Sequence, residues 1–386
     1  MAKHTALLLG CGTIGAEVAR LLVADEVFSG VLIADQDVAR AQQIAAEVGE
    51  KATPLQADVY DEATVARCAQ GASVVLNTTG PFTKHVSAVI GAALHVGVPY
   101  ADINDEAEVL WEMFESGGLD AAARQRGIPL IVGLGSSPGL TNIWARYLAE
   151  QMETVSALHI AIAMNPHYRN PAVFLHRFST HGGQVLVFRQ GHWQHVPGFS
   201  DAEDVTFPEP VGLVRVHLAG HCEPVTLPRF LPGLQTVEMK AGFTVEAANR
   251  VLHDVIRYGF TATEPIRVGS THIIPADFTA AFLSSPAADH VFQDEQTTSH
   301  IARQVQATGT QDGSPCTITM QVVMAAGARV IAMPLAVAAR LLVLGQVPRT
   351  GLLSPEALDP RPFLETLDRW GVRLRFRREV ETDRFL

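Results

Sequence analysis

An α/β fold is predicted for this chain: a doubly wound parallel sheet joined to a second, α+β domain with a mixed or antiparallel sheet. Three observations predict it. Over the first 135 residues, short apolar runs alternate with stretches of helical periodicity, the texture of strands joined by crossover helices. Beyond residue 139 the texture changes to short β-like runs punctuated by Pro and Gly. The length, 386 residues, allows two or three domains at roughly 150 residues each.

The elements follow in order. Residues 6–9 read as a strand and 14–24 as a helix, with Ile14, Val18, Leu21 and Leu22 on one face. Strand 31–34 and helix 38–48 come next, then strand 53–57, helix 64–69, strand 73–76 and helix 86–96. A strand at 100–102, one helix over 107–126 and a strand at 129–132 close this part. A helix at 140–150 leads into strands at 158–163, 184–188, 213–218, 235–240 and 316–324, with a helix at 245–258. The tail reads as helix 334–344, a loop, helix 361–370 and a strand at 372–377. In that strand Val372, Leu374 and Phe376 face one way and Arg373, Arg375 and Arg377 the other, an edge strand with a solvated basic face.

Composition excludes several classes. Charged residues are 18% and hydrophobic ones 47%, which rules out a disordered or fibrous chain. A formal charge of -11 repels phosphate backbones, so no nucleic-acid partner is expected. Four scattered cysteines without a CxxC suit a reducing cytoplasm and argue against a disulfide framework or structural zinc. The apolar start is soon interrupted by Glu17 and Arg20, and the apolar run 326–345 contains Arg329, Pro334 and Arg340. Neither is read as a signal or a membrane span.

Gly10-Cys11-Gly12-Thr13-Ile14-Gly15 is a GxGxxG hexapeptide between a strand and a helix, and Asp35 ends the next strand twenty residues after Gly15. That is the dinucleotide-binding arrangement of the Rossmann fold. Gly10 allows the tight turn, Gly12 lets a pyrophosphate approach the backbone, and Gly15 lets helix and strand pack closely. The helix N-terminus, with Thr13 and Ile14, offers N–H groups to the phosphates. Asp35 would accept from the adenosine ribose, and Gln36 and Asp37 offer no cation for a 2′-phosphate. NAD is therefore expected over NADP, although Arg40 is within reach. Ligands bind at the carboxyl ends of parallel strands. Asp58 is thus expected at the adenine edge, and Thr78, Thr79, Gly80 and Pro81 along the nicotinamide half; helix capping is the alternative role for the threonines.

At this point the chain resembles the saccharopine dehydrogenase-like family, which includes saccharopine reductases, lysine dehydrogenases and carboxynorspermidine reductases. The resemblance is carried by Asn77-Thr78-Thr79-Gly80-Pro81-Phe82, Gly97-Val98-Pro99-Tyr100-Ala101-Asp102 with Asp105-Glu106, and Gly133 to Asn142 around Pro138-Gly139. His181-Gly182-Gly183, His221 to Pro228 and the tail from Gly345 to Trp370 extend it. It implies that 327–386 return to complete a dinucleotide domain of 1–138, around a substrate and dimerisation domain of 139–326. It implies a homodimer through the second sheet, and hydride transfer at a C–N bond of an amino-acid-derived amine or imine. Alternatives are a transferase resembling homospermidine synthase, with NAD recycled within each turnover, and a dinucleotide-binding protein without catalysis.

Such chemistry needs a group titrating near neutrality and polar clamps for a small amino-acid-like substrate. His181 is the first candidate acid/base, in a strand, where saccharopine reductases carry a cysteine; Asp102 and Tyr100 are alternatives. Ser137 stands where those reductases place an aspartate before Pro-Gly. Both departures argue against saccharopine itself as substrate. Ser137, His221 and Glu223 are expected to line the substrate site. Eight histidines fall within 159–221, but no acidic ligand cluster accompanies them and no metal is expected.

Overall fold

The computed structural model describes residues 3–165, 169–292, 299–372 and 374–380. The chain divides into two units. One comprises Met1–Arg146 with Gly327–Thr366, the other Tyr147–Ala326 with Leu367–Leu386.

The first unit is built on β1 (His4–Leu9), β2 (Phe28–Asp35), β3 (Ala52–Gln56), β4 (Val74–Asn77), β5 (Tyr100–Asp102) and β6 (Pro129–Ile131). A seventh strand, Gly351–Leu353, is supplied by the tail. The order across the sheet is Gly351–Leu353, β6, β5, β4, β1, β2, β3, with every pairing parallel. Strand order reverses between β1 and β4, which creates the crevice where this class of sheet binds ligands. The central strands carry continuous apolar runs because helices cover both faces: Leu7, Leu8, Leu9, Val74, Val75 and Leu76 are fully buried. Each such aliphatic side chain contributes about 1.5–3 kcal/mol on leaving water. The helices α1 (Thr13–Ala24) and Ala328–Val343 pack on each other, and each buries small residues, Ala16 and Ala19 in the first and Ala332, Ala338 and Ala339 in the second.

The second unit centres on a mixed sheet. Its main path runs Glu203–Thr206, Leu213–Leu218, Thr236–Phe243, Thr154–Met164, His300–Gln311, Ser314–Ala325, Leu374–Val380. Only Thr154–Met164 and Thr236–Phe243 run parallel; the other pairs on this path are antiparallel. Gln184–Arg189 and His192–Pro197 form a hairpin off this path. Helices Pro171–His181, Glu246–Arg257 and Pro275–Ser284 enclose a core with Phe174, Phe178, Phe243 and Phe292.

Several expectations need correction. The single helix expected over 107–126 is two, Ala107–Ser116 and Gly118–Arg126, because Gly117 adopts a left-handed φ of 64° and ends the first. The tail supplies a strand, Gly351–Leu353, where a loop was expected. The strand expected at 372–377 lies at Leu374–Val380 and pairs with Ser314–Ala325 in the second unit, not with the first domain; Arg373 lies outside the described residues. His181 ends a helix and is not in a strand. Asn170 caps that helix by accepting from the Val173 N–H at 2.9 Å, and Pro171 occupies its first position.

Candidate functional site

The Gly-rich turn has the form the sequence requires. Gly10 sits at φ +85°, and a Cβ there would lie 2.7 Å from the Thr79 methyl. A Cβ on Gly15 would lie 2.0 Å from the Gly10 carbonyl oxygen, so only glycine lets α1 start this close to β1. Around Gly12 there is open space, and Gly12 caps α1 with its backbone alone. Thr13 is exposed at the first position of the helix and Ile14 is half-buried behind it. Amide donors, a helix N-terminus and free volume together fit a dinucleotide pyrophosphate.

Asp35 reaches the same turn. Its Oδ2 accepts from the Cys11 N–H at 2.9 Å and from the Cys11 thiol at 3.2 Å, and its Oδ1 from the Asp37 N–H at 3.0 Å. Burial opposes its charge, but these donors prevail and hold the carboxyl below its ordinary range. Burial and the adjacent carboxylate push the Cys11 thiol up to about 12, so it remains a thiol and a donor. Gln36 is exposed beside Asp35. Asp58 is exposed two residues beyond the end of β3, accepting from the Tyr60 N–H at 2.9 Å.

The loop after β4 closes over the turn. The Thr78 hydroxyl lies 2.9 Å from the Gly10 carbonyl and 3.0 Å from that of Leu9, locking β4 to β1. Thr79 is half-buried, and Gly80 and Pro81 are exposed. Beyond them the Phe82 and Thr83 N–H groups donate to the two Glu106 carboxylate oxygens at 2.7 and 3.0 Å.

Tyr100 begins β5 and Asp102 ends it, and both are fully buried. The Tyr100 hydroxyl donates to Asp102 Oδ2 at 2.9 Å, while the Asn104 and Gly133 N–H groups donate to Oδ1 at 3.0 and 2.9 Å. Burial outweighs these donors and pushes Asp102 up to about 6; burial and the neighbouring carboxylate push Tyr100 well above 10. Ser137 is half-buried in the turn before Pro138, downstream of Gly133. No sequence signal marks His85 or the structural tie of Asn142, whose Nδ2 donates to buried Glu356 at 3.0 Å. Histidine within a helix start carries no spacing signal, and Asn142 was visible only as part of a motif.

In the second unit, His181 is buried with its Nδ1 3.1 Å from the Arg177 carbonyl and 3.0 Å from the Thr180 hydroxyl. Burial pushes its pKa down to about 3. His221 and Glu223 are brought together, Nδ1 to Oε2 at 2.6 Å, both buried at the start of helix Glu223–Phe230. The Gly220 N–H donates to the Thr180 carbonyl at 2.7 Å, so the His221 segment is tied to the helix end that carries His181. Among the described residues no group of three His, Cys, Asp or Glu is placed to hold a metal ion, and no helix is long and apolar enough to cross a membrane.

A parallel sheet with a glycine turn, an acidic residue ending β2 and a loop closing from β4 defines a dinucleotide-binding protein of the Rossmann class. Comparison with known proteins narrows the class. Residues 6–128 match the saccharopine dehydrogenase NADP binding domain, and 135–372 the saccharopine dehydrogenase C-terminal domain. The chain belongs to the saccharopine dehydrogenase family, and it is an NAD(P)-dependent oxidoreductase. It is 25% identical to carboxyaminopropylagmatine dehydrogenase of Synechocystis sp. over 95% of this chain and 96% of that one. It is 22% identical to carboxynorspermidine synthase of Vibrio cholerae, over 95% of each. Among solved structures, the apo saccharopine dehydrogenase (L-Glu forming) of Saccharomyces cerevisiae superposes with a TM-score of 0.68 at 17% identity, covering 97% of this chain and all of that one.

Proposed function

We propose that the chain is an NAD-dependent enzyme acting on the C–N bond of an amino-acid-derived amine or imine, in the cytoplasm, as a homodimer formed through the mixed sheet. The observation that carries the reading is the buried Tyr100–Asp102 pair on β5, in the same sheet as the glycine turn and separated from β1 by β4. It places a carboxyl titrating near neutrality in the unit that would hold the dinucleotide. Relatives named for carboxylated polyamines, similar along their whole length, support an amine with one amino-acid end.

In this reading the backbone at Gly10, Gly12, Thr13, Ile14 and Gly15 holds the pyrophosphate. Asp35 and Gln36 hold the adenosine ribose, Asp58 borders the adenine, and Thr78 to Pro81 line the nicotinamide half. The charge held on Asp35 repels a 2′-phosphate, which supports NAD over NADP. When bound, the nicotinamide gives or takes the hydride. Asp102, with Tyr100 as its hydroxyl partner, holds the proton. His181, kept neutral by burial, serves as a hydrogen-bonding group and not as a charged acid, while Ser137, His221 and Glu223 orient the substrate.

The test is a panel of amino acids and their N-alkylated amines with NAD and NADP, followed at the nicotinamide absorbance in both directions. Turnover with NAD and a secondary amine carrying a carboxylate is expected. Product without net absorbance change would assign a transferase, and binding without product a non-catalytic protein.

A further inference from the structure

His85 was singled out by no motif, yet it ends a chain of hydrogen bonds whose direction can be read from the donors alone. The Thr79 backbone N–H can only donate, so the Asn77 side-chain atom 3.0 Å from it is Oδ1. The other side-chain atom, Nδ2, then donates to the Tyr100 hydroxyl at 3.2 Å, which in turn donates a hydrogen bond to Asp102 at 2.9 Å. Asn77 Oδ1 also faces the Thr79 hydroxyl, which must donate to it. Only a lone pair of Thr79 Oγ1 is left towards His85, whose Nε2 is 2.7 Å away, so Nε2 carries the hydrogen.

The result is a one-way series: His85 to Thr79 to Asn77, and Asn77 to Tyr100 to Asp102. It fixes the Thr79 rotamer with the hydroxyl turned inward. The methyl is thereby pressed over the Gly10 turn, 2.7 Å from where a Cβ on Gly10 would stand. His85 itself is buried, its ring 5.8 Å from that of Phe82 and edge-on to Tyr60 at 5.7 Å.

We propose that His85 is a positioning residue of the dinucleotide site: its Nε2–H holds Thr79 against the Gly10 turn and so sets dinucleotide affinity. The inference rests on the reading of that turn and loop as the dinucleotide site. Burial lowers the His85 pKa and outweighs backbone hydrogen bonds at Pro81 and Thr79 that favour the charged ring.

The test uses the full chain with NAD and NADP titrated by calorimetry. H85F keeps the ring contacts and removes the donor; its dissociation constant is expected to rise about tenfold with the fold retained by circular dichroism, the scale of one lost hydrogen bond. H85Q, whose amide can donate to the same hydroxyl, is expected to stay within about threefold of wild type on that scale. In a Thr79→Val background H85F is expected to add nothing, since the hydroxyl it acts through is gone. An unchanged H85F, a loss in H85Q as large as in H85F, or independent effects in the double variant would each overturn the proposal. Should H85F not fold, Thr79→Ser decides, because it keeps the hydroxyl and removes the methyl over Gly10: about tenfold weaker binding supports the proposal, and unchanged binding overturns it. A wild type that binds neither dinucleotide overturns this inference together with the reading beneath it, whereas binding that H85F leaves untouched overturns this one alone.

Discussion

Asp102 has no exposed surface and three hydrogen-bond donors, and the contest between those facts makes it pH-sensitive. Its pKa in the fold, about 6, lies above the ordinary 3.8, so the folded chain binds this proton more tightly than the unfolded chain does. Its contribution is complete below about pH 4 and is lost as pH rises through 6, a change of about 3 kcal/mol at 1.36 kcal/mol per unit. Urea unfolding between pH 4 and 8 should show that decline in the wild type and a flattened profile in Asp102→Asn. The same substitution should remove a limb near pH 6 from kcat/KM if Asp102 holds the proton. A wild-type profile that is flat through this window would show that the three donors fully compensate the burial.

Among elements, the seventh strand shows where sequence patterns stop. Gly351–Leu353 is too short for alternation to register and lies between Pro348 and Pro355, so it reads as a loop. What makes it a strand is distant: β6 alongside it, and Asp120, whose Oδ1 accepts from the Leu352 N–H at 2.9 Å while Oδ2 takes Arg124 at 2.7 Å. Asp120→Ala leaves a buried N–H unmatched and is expected to cost about 1–3 kcal/mol by urea unfolding; a change under about 0.5 kcal/mol would mean solvent replaces the carboxylate. The glycine turn, the acid at the end of β2 and the loop after β4 were all legible because fixed backbone demands select residue types. Helix Ala328–Val343 was not legible at its start: Pro334 suggests a first position, yet buried Ala332 and Met333 hold a preceding turn in place. Helix Pro171–His181 carried its signal, Asn170 before Pro171, but lies in a stretch whose other runs are β-like.

At the scale of the molecule, sequence patterns run in chain order and leave the tail in one piece, whereas the structure divides it. Residues 327–366 finish the first unit and 367–386 join the second. Pairing choices of this kind depend on which edge is open, which no local pattern encodes. The Leu374–Val380 strand covers the edge of Ser314–Ala325, and its Arg375, Arg377, Arg378 and Glu379 present charge outward, a common guard against edge-to-edge association. A chain ended after residue 372 is expected to bind dinucleotide as before but to associate beyond the dimer, visible as concentration-dependent light scattering that the intact chain lacks. A monodisperse shortened chain would show that the strand is dispensable there. The same interleaving sets a timetable for synthesis. Six strands of the first sheet emerge early, but Gly351–Leu353 and helix Ala328–Val343 leave the ribosome only after nearly all of the second unit has appeared. The first unit must therefore wait, partly open, while the second is made, and a polypeptide released too soon leaves both unfinished.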